Sequence, residues 1–149
     1  MTPQLNLPAF DIELRRDAAG RTEVYDPLRR RWLVLTPEEW VRQHFVHWLA
    51  TAYGYPTSMM ANEVGMRFNG MVRRCDTLIY ARDLSPLCIV EYKRPSVDIT
   101  PAVFDQIARY NSVTGARWLM VSNGLRHFCC RFDGRGYTFV RQIPAYTDL

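Results

Sequence analysis

Lysine is almost missing from this 149-residue chain: 18 of its 19 basic side chains are arginine, and the exception is Lys93. A general preference for arginine replaces lysine wherever either residue serves. The position that keeps lysine is therefore a candidate for chemistry that needs a compact ammonium able to lose its proton. Long apolar runs are also missing, and no stretch approaches the roughly 18 uninterrupted apolar residues of a membrane span. The first ten residues lack the basic-then-apolar pattern of a secretion signal. Cys75, Cys88, Cys129 and Cys130 are accordingly expected as free thiols in a reducing cytoplasm. No C-x-x-C pair occurs, and Cys129 and Cys130 are adjacent, which puts them on opposite faces of a strand. With His44, His47 and His127 dispersed, a zinc site is not expected. No G-x-G-x-x-G follows a strand, no G-x-S-x-G is present, and no glycine precedes the lysine. A dinucleotide cofactor, a nucleophilic serine and a phosphate-binding motor loop are thereby set aside.

What is present reads as one globular domain over residues 1–149. Apolar residues make up 48% and charged residues 23%, the balance of a chain that buries a core. The net charge of +4 and pI near 9.0 are compatible with a polyanionic partner. Residues 1–35 read as an N-terminal accessory hairpin, with alternation over 10–16, a turn at Ala18-Ala19-Gly20, and extended pieces at Val24-Tyr25 and Trp32–Leu35. Residues 36–132 form the core and 133–149 a last strand and tail.

Thr36 as N-cap, Pro37 at the first helical position and Glu39 completing a capping box open a helix that Gly54 ends. Its apolar face is Val41, Phe45, Trp48, Leu49 and Ala52. Strands are predicted at Met59–Phe68 and Met71–Ala81 around the hairpin signal Asn69-Gly70, and at Leu87–Arg94, apolar on both faces and stopped by Pro95. Thr100-Pro101 opens a second helix running to about Thr114. Strands at Trp118–Ser122, Arg126–Phe132 and Tyr137–Arg141 follow, the last two as a C-terminal hairpin. The fold class is α/β: a mixed sheet flanked by helices.

Chemistry concentrates at three positions. Glu91 and Lys93, two apart on a strand, share a face at the end of the central apolar strand, and Asp76 on the preceding strand can stand beside Glu91. Two converging carboxylates favour a divalent cation between them, and oxygen ligands without Cys or His suit Mg²⁺ or Mn²⁺. A nearby ammonium can orient or deprotonate water and neutralise charge on a phosphorane, the parts phosphodiester hydrolysis needs. The bland alternative is a buried Glu91–Lys93 pair beside a solvated Asp76. Helical angles place Glu38 within about 40° of the apolar face, with Arg42 four residues on as its partner and Glu39 turned away as a capping residue. On the second helix Val103, Ile107 and Tyr110 are read as the inner face with Gln106 on its flank, and Asp105–Arg109 as an outward pair.

These residues carry a resemblance. Leu35–Gln43, Arg74-Cys75-Asp76-Thr77-Leu78-Ile79-Tyr80, Ile89-Val90-Glu91-Tyr92-Lys93-Arg94-Pro95, Phe104–Tyr110 and Val121-Ser122-Asn123-Gly124 resemble, in order, segments of the N-terminal nuclease domain of type I restriction enzyme R subunits. The match covers roughly residues 32–132 and belongs to the wider PD-(D/E)XK class. It implies a restriction endonuclease-like fold and metal-dependent DNA cleavage. Glu38, Asp76, Glu91, Lys93 and Gln106 would be catalytic, Asp76 and Glu91 would hold the metal, and Arg42 and Tyr110 would support them. Without a motor loop or specificity module in this sequence, a separate subunit is the expected source of both.

Arg73, Arg74 and Arg94 adjoin the acidic cluster and are candidate phosphate contacts; Arg29-Arg30-Arg31 with Trp32 is a weaker one. Two other readings stand beside the nuclease. One is a catalytically silent nuclease-fold module that binds DNA or a partner protein. The other is a structural domain with a buried ion pair.

Overall fold

A computed structural model describes residues 2–149, the side chain of Phe68 excepted. The first three strands, β1 (Leu14–Arg16), β2 (Thr22–Asp26) and β3 (Arg31–Val34), form a small antiparallel sheet in the order β1-β2-β3. Only Leu14–Arg16 of the alternating stretch 10–16 becomes strand. Phe10 instead stacks on His47, ring centroids 4.0 Å apart, so its apolar ring covers α1 rather than a ladder.

Helix α1 (Pro37–Ala52) starts as its sequence dictates: Thr36 is extended, and its Oγ1 accepts the Glu39 N–H at 3.0 Å. The capping box is not closed, because the Glu39 carboxylate is engaged elsewhere. Strands β4 (Met60–Phe68) and β5 (Met71–Tyr80) turn at Asn69-Gly70, both with positive φ, as a two-residue hairpin requires. β6 (Pro86–Tyr92) is buried along most of its length. The second helix, α2 (Pro101–Ser112), is capped by Thr100 and crosses over to β7 (Trp118–Ser122), followed by β8 (His127–Phe132) and β9 (Tyr137–Val140).

The main sheet runs β4-β5-β6-β7-β8-β9 in chain order, and only β6 and β7 are parallel, joined by α2. Alternate residues of β6 and β7 build two cores. Cys88, Val90 and Met120 meet Val41, Phe45 and Leu49 of α1; Ile89, Leu119 and Val121 meet Phe104 and Ala108 of α2. The sheet is thus covered on both faces, which explains the unbroken apolar runs of its central strands. The expected mixed α/β architecture is what the chain adopts. All four cysteines are buried and unpaired with one another. No helix among the described residues is long and apolar enough to cross a membrane.

β6 ends at Tyr92, two residues earlier than expected. Lys93 still donates its N–H to Ser122 O at 2.9 Å, so the ladder with β7 carries one bond further and keeps Lys93 in strand-like register with Glu91.

Candidate active site

The site forms where two paired strands part. The β5–β6 ladder ends at Thr77↔Val90, while β4 and β5 stay paired to the turn. At the parting Asp76 turns its carboxylate inward, and Oδ2 accepts the Tyr92 N–H at 2.9 Å in place of a ladder carbonyl. This brings Asp76 beside Glu91. Burial first, then hydrogen bonding and repulsion from Asp76, push the Glu91 carboxyl up to about 9; the Asn111 side chain and the charge of Lys93 oppose the shift. Oε1 of Glu91 is buried without a hydrogen-bond partner among the described residues, and so is Oδ1 of Asn111. Glu91 and Lys93 form no ion pair within 4 Å among those residues, which removes the buried-pair alternative.

Lys93, Glu91, Gln106, Tyr110 and Asn111 line one open cleft of about 270 Å³. Gln106 is exposed there and makes no side-chain hydrogen bond among the described residues. A larger groove, about 460 Å³, lies between the outer side of α2 and the β8–β9 turn. Its acid, Asp105, is paired with Arg109 at 2.9 Å, as expected, so it gathers no chemistry.

Glu38 is half-buried on α1. Burial, then repulsion from Asp76, raise its carboxyl above the ordinary range, against the pull of Arg42 and Lys93. It therefore belongs to the electrostatic neighbourhood of the cluster. Glu39 does not face solvent as the helical angles suggested. It is 7% exposed, bonds Arg29 Nη2 at 2.6 Å and Gln43 Nε2 at 3.1 Å, and has Arg42 Nε at 3.5 Å. The last contact is one of charge alone, because Arg42 Nε lacks a hydrogen bond of acceptable geometry. The N-terminal sheet lies on that side of α1 and supplies Arg29, a partner no helical wheel includes.

Arg42 does not pair with Glu38. Its Nη2 reaches Glu63 Oε1 at 2.6 Å, its Nη1 donates to Asp76 O at 3.2 Å, and its guanidinium lies 5.6 Å from the Tyr92 ring centroid. Glu63 sits on β4 in a left-handed conformation, φ 57°, across from Asp76. Burial opposes its ionisation, but bonds from Arg74 and Arg42 outweigh that and hold its carboxyl below the usual range. Arg42 thus ties α1, β4 and the backbone of Asp76 together.

A second chain of hydrogen bonds reaches the same place. Asp26, fully buried on β2, pairs with Arg29 and accepts Asn62 Nδ2 at 3.0 Å. Asn62 Oδ1 accepts Thr77 Oγ1 at 2.6 Å, and Tyr92 OH donates to Thr77 Oγ1 at 2.9 Å. The segment read as accessory is wired into the strands that carry the site.

On α2 the inner face is Phe104, Ala108 and Asn111, rotated by about one residue from the expected Val103–Ile107–Tyr110. The bulky Phe104 takes the core position, which swings Tyr110 to the cleft wall. There its OH accepts the Arg74 N–H at 3.3 Å, and the Arg73 guanidinium stacks 4.3 Å above its ring. Arg74 Nε bonds Glu63 Oε2 at 2.9 Å, and Arg94 is exposed beside the cleft residues. Of the other arginine run, Arg29 is consumed by Asp26 and Glu39, and Trp32 is capped by Arg15 at 4.4 Å. The Arg15 guanidinium thus covers one face of Trp32.

The residues missed by sequence reasoning are Glu63, Asn111 and the Asp26–Asn62–Thr77–Tyr92 chain. Asn111 was findable, because Phe104, Ala108 and Asn111 recur at helical spacing. Glu63 was not, because it depends on a break in the β4 ladder.

Among the described residues no three Asp, Glu, His or Cys side chains form a ready metal cage. Burial and the neighbouring Asp76 favour the protonated form of the Glu91 carboxyl. Two carboxylates with one orphaned oxygen, and only a buried, protonated Cys75 nearby, suit a hard divalent cation.

A mixed six-stranded sheet covered by one helix on each face, with carboxylates converging where two strands part, is consistent with a nuclease-like α/β fold. The family model described as type I restriction enzyme R protein N terminus matches residues 37–144, and the chain belongs to that family. No curated protein matches the chain.

Proposed function

We propose that this domain is a metal-dependent DNA endonuclease of the PD-(D/E)XK type, related to restriction. The observation that carries the reading is the Asp76–Glu91 pair, with Asp76 anchored on the Tyr92 amide at the parting of β5 and β6, and Lys93 in the same cleft as Glu91.

Asp76 and Glu91 would hold Mg²⁺ or Mn²⁺, which would supply Lewis acidity and a more acidic bound water. Their carboxylates fit that task because both are oxygen donors and one keeps an unpartnered atom. Lys93, in no ion pair among the described residues, can place its ammonium on a water or on the charge that grows at phosphorus. Glu38 adds a proton acceptor within the field of Lys93, and Gln106 can hydrogen-bond a substrate oxygen from the opposite cleft wall. Arg42 and Tyr110 are positioning residues: one fixes the Asp76 carbonyl, the other the Arg74 amide. Arg73, Arg74 and Arg94 surround the cleft with positive charge suited to phosphates. A separate motor or specificity subunit would deliver the substrate, and the setting is cytoplasmic.

Nicking of supercoiled plasmid with Mn²⁺, and its loss in EDTA and in Lys93→Ala, tests the reading. Wild type expected to nick only with the cation, and Lys93→Ala reduced at least 100-fold, support it. Equal nicking by both proteins rejects it.

A further inference from the structure

Strands β4 and β5 outrun the sheet. β6 leaves β5 at Thr77, yet β4 and β5 remain paired through Val64↔Cys75, Met66↔Arg73 and Arg67↔Val72 to the turn. Six residues separate Asp76 from Gly70, so the two-stranded ribbon extends about 20 Å from the acidic cluster at 3.3–3.4 Å per residue. Its root is fixed: Arg74 N–H donates to Tyr110 OH, and Cys75 Sγ lies 3.6 Å from Met66 Sδ. Its outer half has exposed apolar side chains at Met71 (54%) and Val72 (62%). Residues 64–75 contain Arg67, Arg73 and Arg74 and no acid.

The two faces differ. Arg67 and Val72 stand opposite each other, and the next pair on that face is Gly65 and Arg74. Gly65 needs no special backbone angle, and a Cβ built there would meet only Val72 Cγ1, at 3.9 Å. The fold itself therefore does not require glycine at 65. Its effect is a strip of bare backbone between two arginines and a valine.

We infer that this ribbon enters a groove of duplex DNA tip first, with Arg67 and Arg74 toward phosphates, and Val72 on their face and Met71 on the opposite face against base or sugar edges near the tip. The inference rests on the reading of DNA as substrate and adds how the duplex is held. A two-stranded ribbon fits the major groove, about 12 Å wide and 8.5 Å deep, and the outer half of this one is long enough to fill that depth. Charge complementarity selects the partner: Arg67 has no ion pair among the described residues, and Arg74, although bonded to Glu63, keeps its side chain 70% exposed, so the ribbon offers positive charge to a polyanion. The root of the ribbon is Asp76, so a duplex gripped at the tip presents its backbone to the cleft about 20 Å away.

The experiment measures fluorescence anisotropy of a labelled 24-base-pair duplex, and of one of its strands, in EDTA, so that cutting plays no part. Arg67→Ala is expected to weaken duplex binding several-fold and to lower the slope of log affinity against log salt by about one. Met71→Ser with Val72→Ser is expected to weaken it at least 5-fold at an unchanged slope. Gly65→Leu, which obstructs the strip, should do the same. Melting temperatures within about 2 °C of wild type verify that these exposed changes leave the fold intact.

Unchanged duplex affinity in the folded variants overturns the inference, as it would if the ribbon served a protein partner. So does wild type binding the single strand as tightly as the duplex, or binding no duplex at 50 mM salt. Ribbon variants that lose duplex binding in a protein that never cuts plasmid would uphold the ribbon and reject the nuclease reading. A cutting wild type with indifferent ribbon variants would do the reverse.

Discussion

Asp76 accepts the backbone N–H of Tyr92 at 2.9 Å, so a side chain takes the place that the β5 backbone would occupy if its ladder with β6 continued. A carboxylate is thereby drawn beside Glu91 without a salt bridge of its own among the described residues. Arg42 binds the carbonyl of Asp76 instead of its carboxylate. The negative charge crowded here is offset through space by Lys93.

Glu91 makes that visible in pH. Its carboxyl is pushed up to about 9 from an ordinary 4.5, first by burial and then by Asp76. A raised carboxyl favours the protonated fold, so its contribution is complete below the unfolded value and is lost as pH rises through about 9. Without divalent cation, the melting temperature is expected to fall between pH 6 and pH 9, and in Glu91→Gln that fall should be much smaller. Thermal melts of both proteins across this range check it; parallel curves would refute the assignment to Glu91.

Arg42→Met should be among the most damaging single changes. The guanidinium is buried and serves Glu63, Glu39 and the Asp76 carbonyl at once. Removing it takes one partner each from Glu63 and Glu39 in a poorly solvated place and frees the Asp76 carbonyl, with an expected loss of about 3 kcal/mol in urea unfolding. A loss under about 1 kcal/mol would mean that Glu63 relies on the exposed Arg74 alone.

Asp26→Ala tests whether residues 1–35 are accessory. The change takes a buried carboxylate from Arg29 and Asn62, which keep only Glu39 and Thr77, and should cost about 2–4 kcal/mol. Amide exchange should rise in β4 and β5, although Asp26 lies on neither strand. Protection unchanged beyond β2 would make the N-terminal sheet an independent appendage.

The sheet, both helix starts and the Asn69-Gly70 turn were legible because each rests on local signals: caps, apolar runs and a two-residue hairpin. Asp76, Glu91 and Lys93 were legible as a cluster because strand parity and an apolar central strand leave few places for them. Glu39 was misjudged for a non-local reason, since its partner Arg29 comes from the β2–β3 turn of the N-terminal sheet. The face of α2 was misjudged because a helical wheel weighs Val103 and Phe104 alike, while packing prefers the larger ring. Glu63 depends on one left-handed residue within a long strand, which no pattern of polarity announces.

Lys93→Arg separates charge from proton chemistry. Arginine keeps the positive charge but is wider, planar and permanently protonated. The variant is expected to fold with a melting temperature within a few degrees of wild type and to nick plasmid nearly as poorly as Lys93→Ala. Cutting within about 5-fold of wild type would show that Lys93 supplies charge alone and that the lone lysine is an accident of composition.

The most direct measurement is a titration of the metal-free protein with Mn²⁺ at pH 7, followed by electron paramagnetic resonance and by calorimetry in two buffers of different ionisation enthalpy. The account predicts one bound ion, release of close to one proton as Glu91 gives up its hydrogen, and at least 10-fold weaker binding in Asp76→Asn. Absence of binding to the wild type, or equal binding by Asp76→Asn, would contradict it.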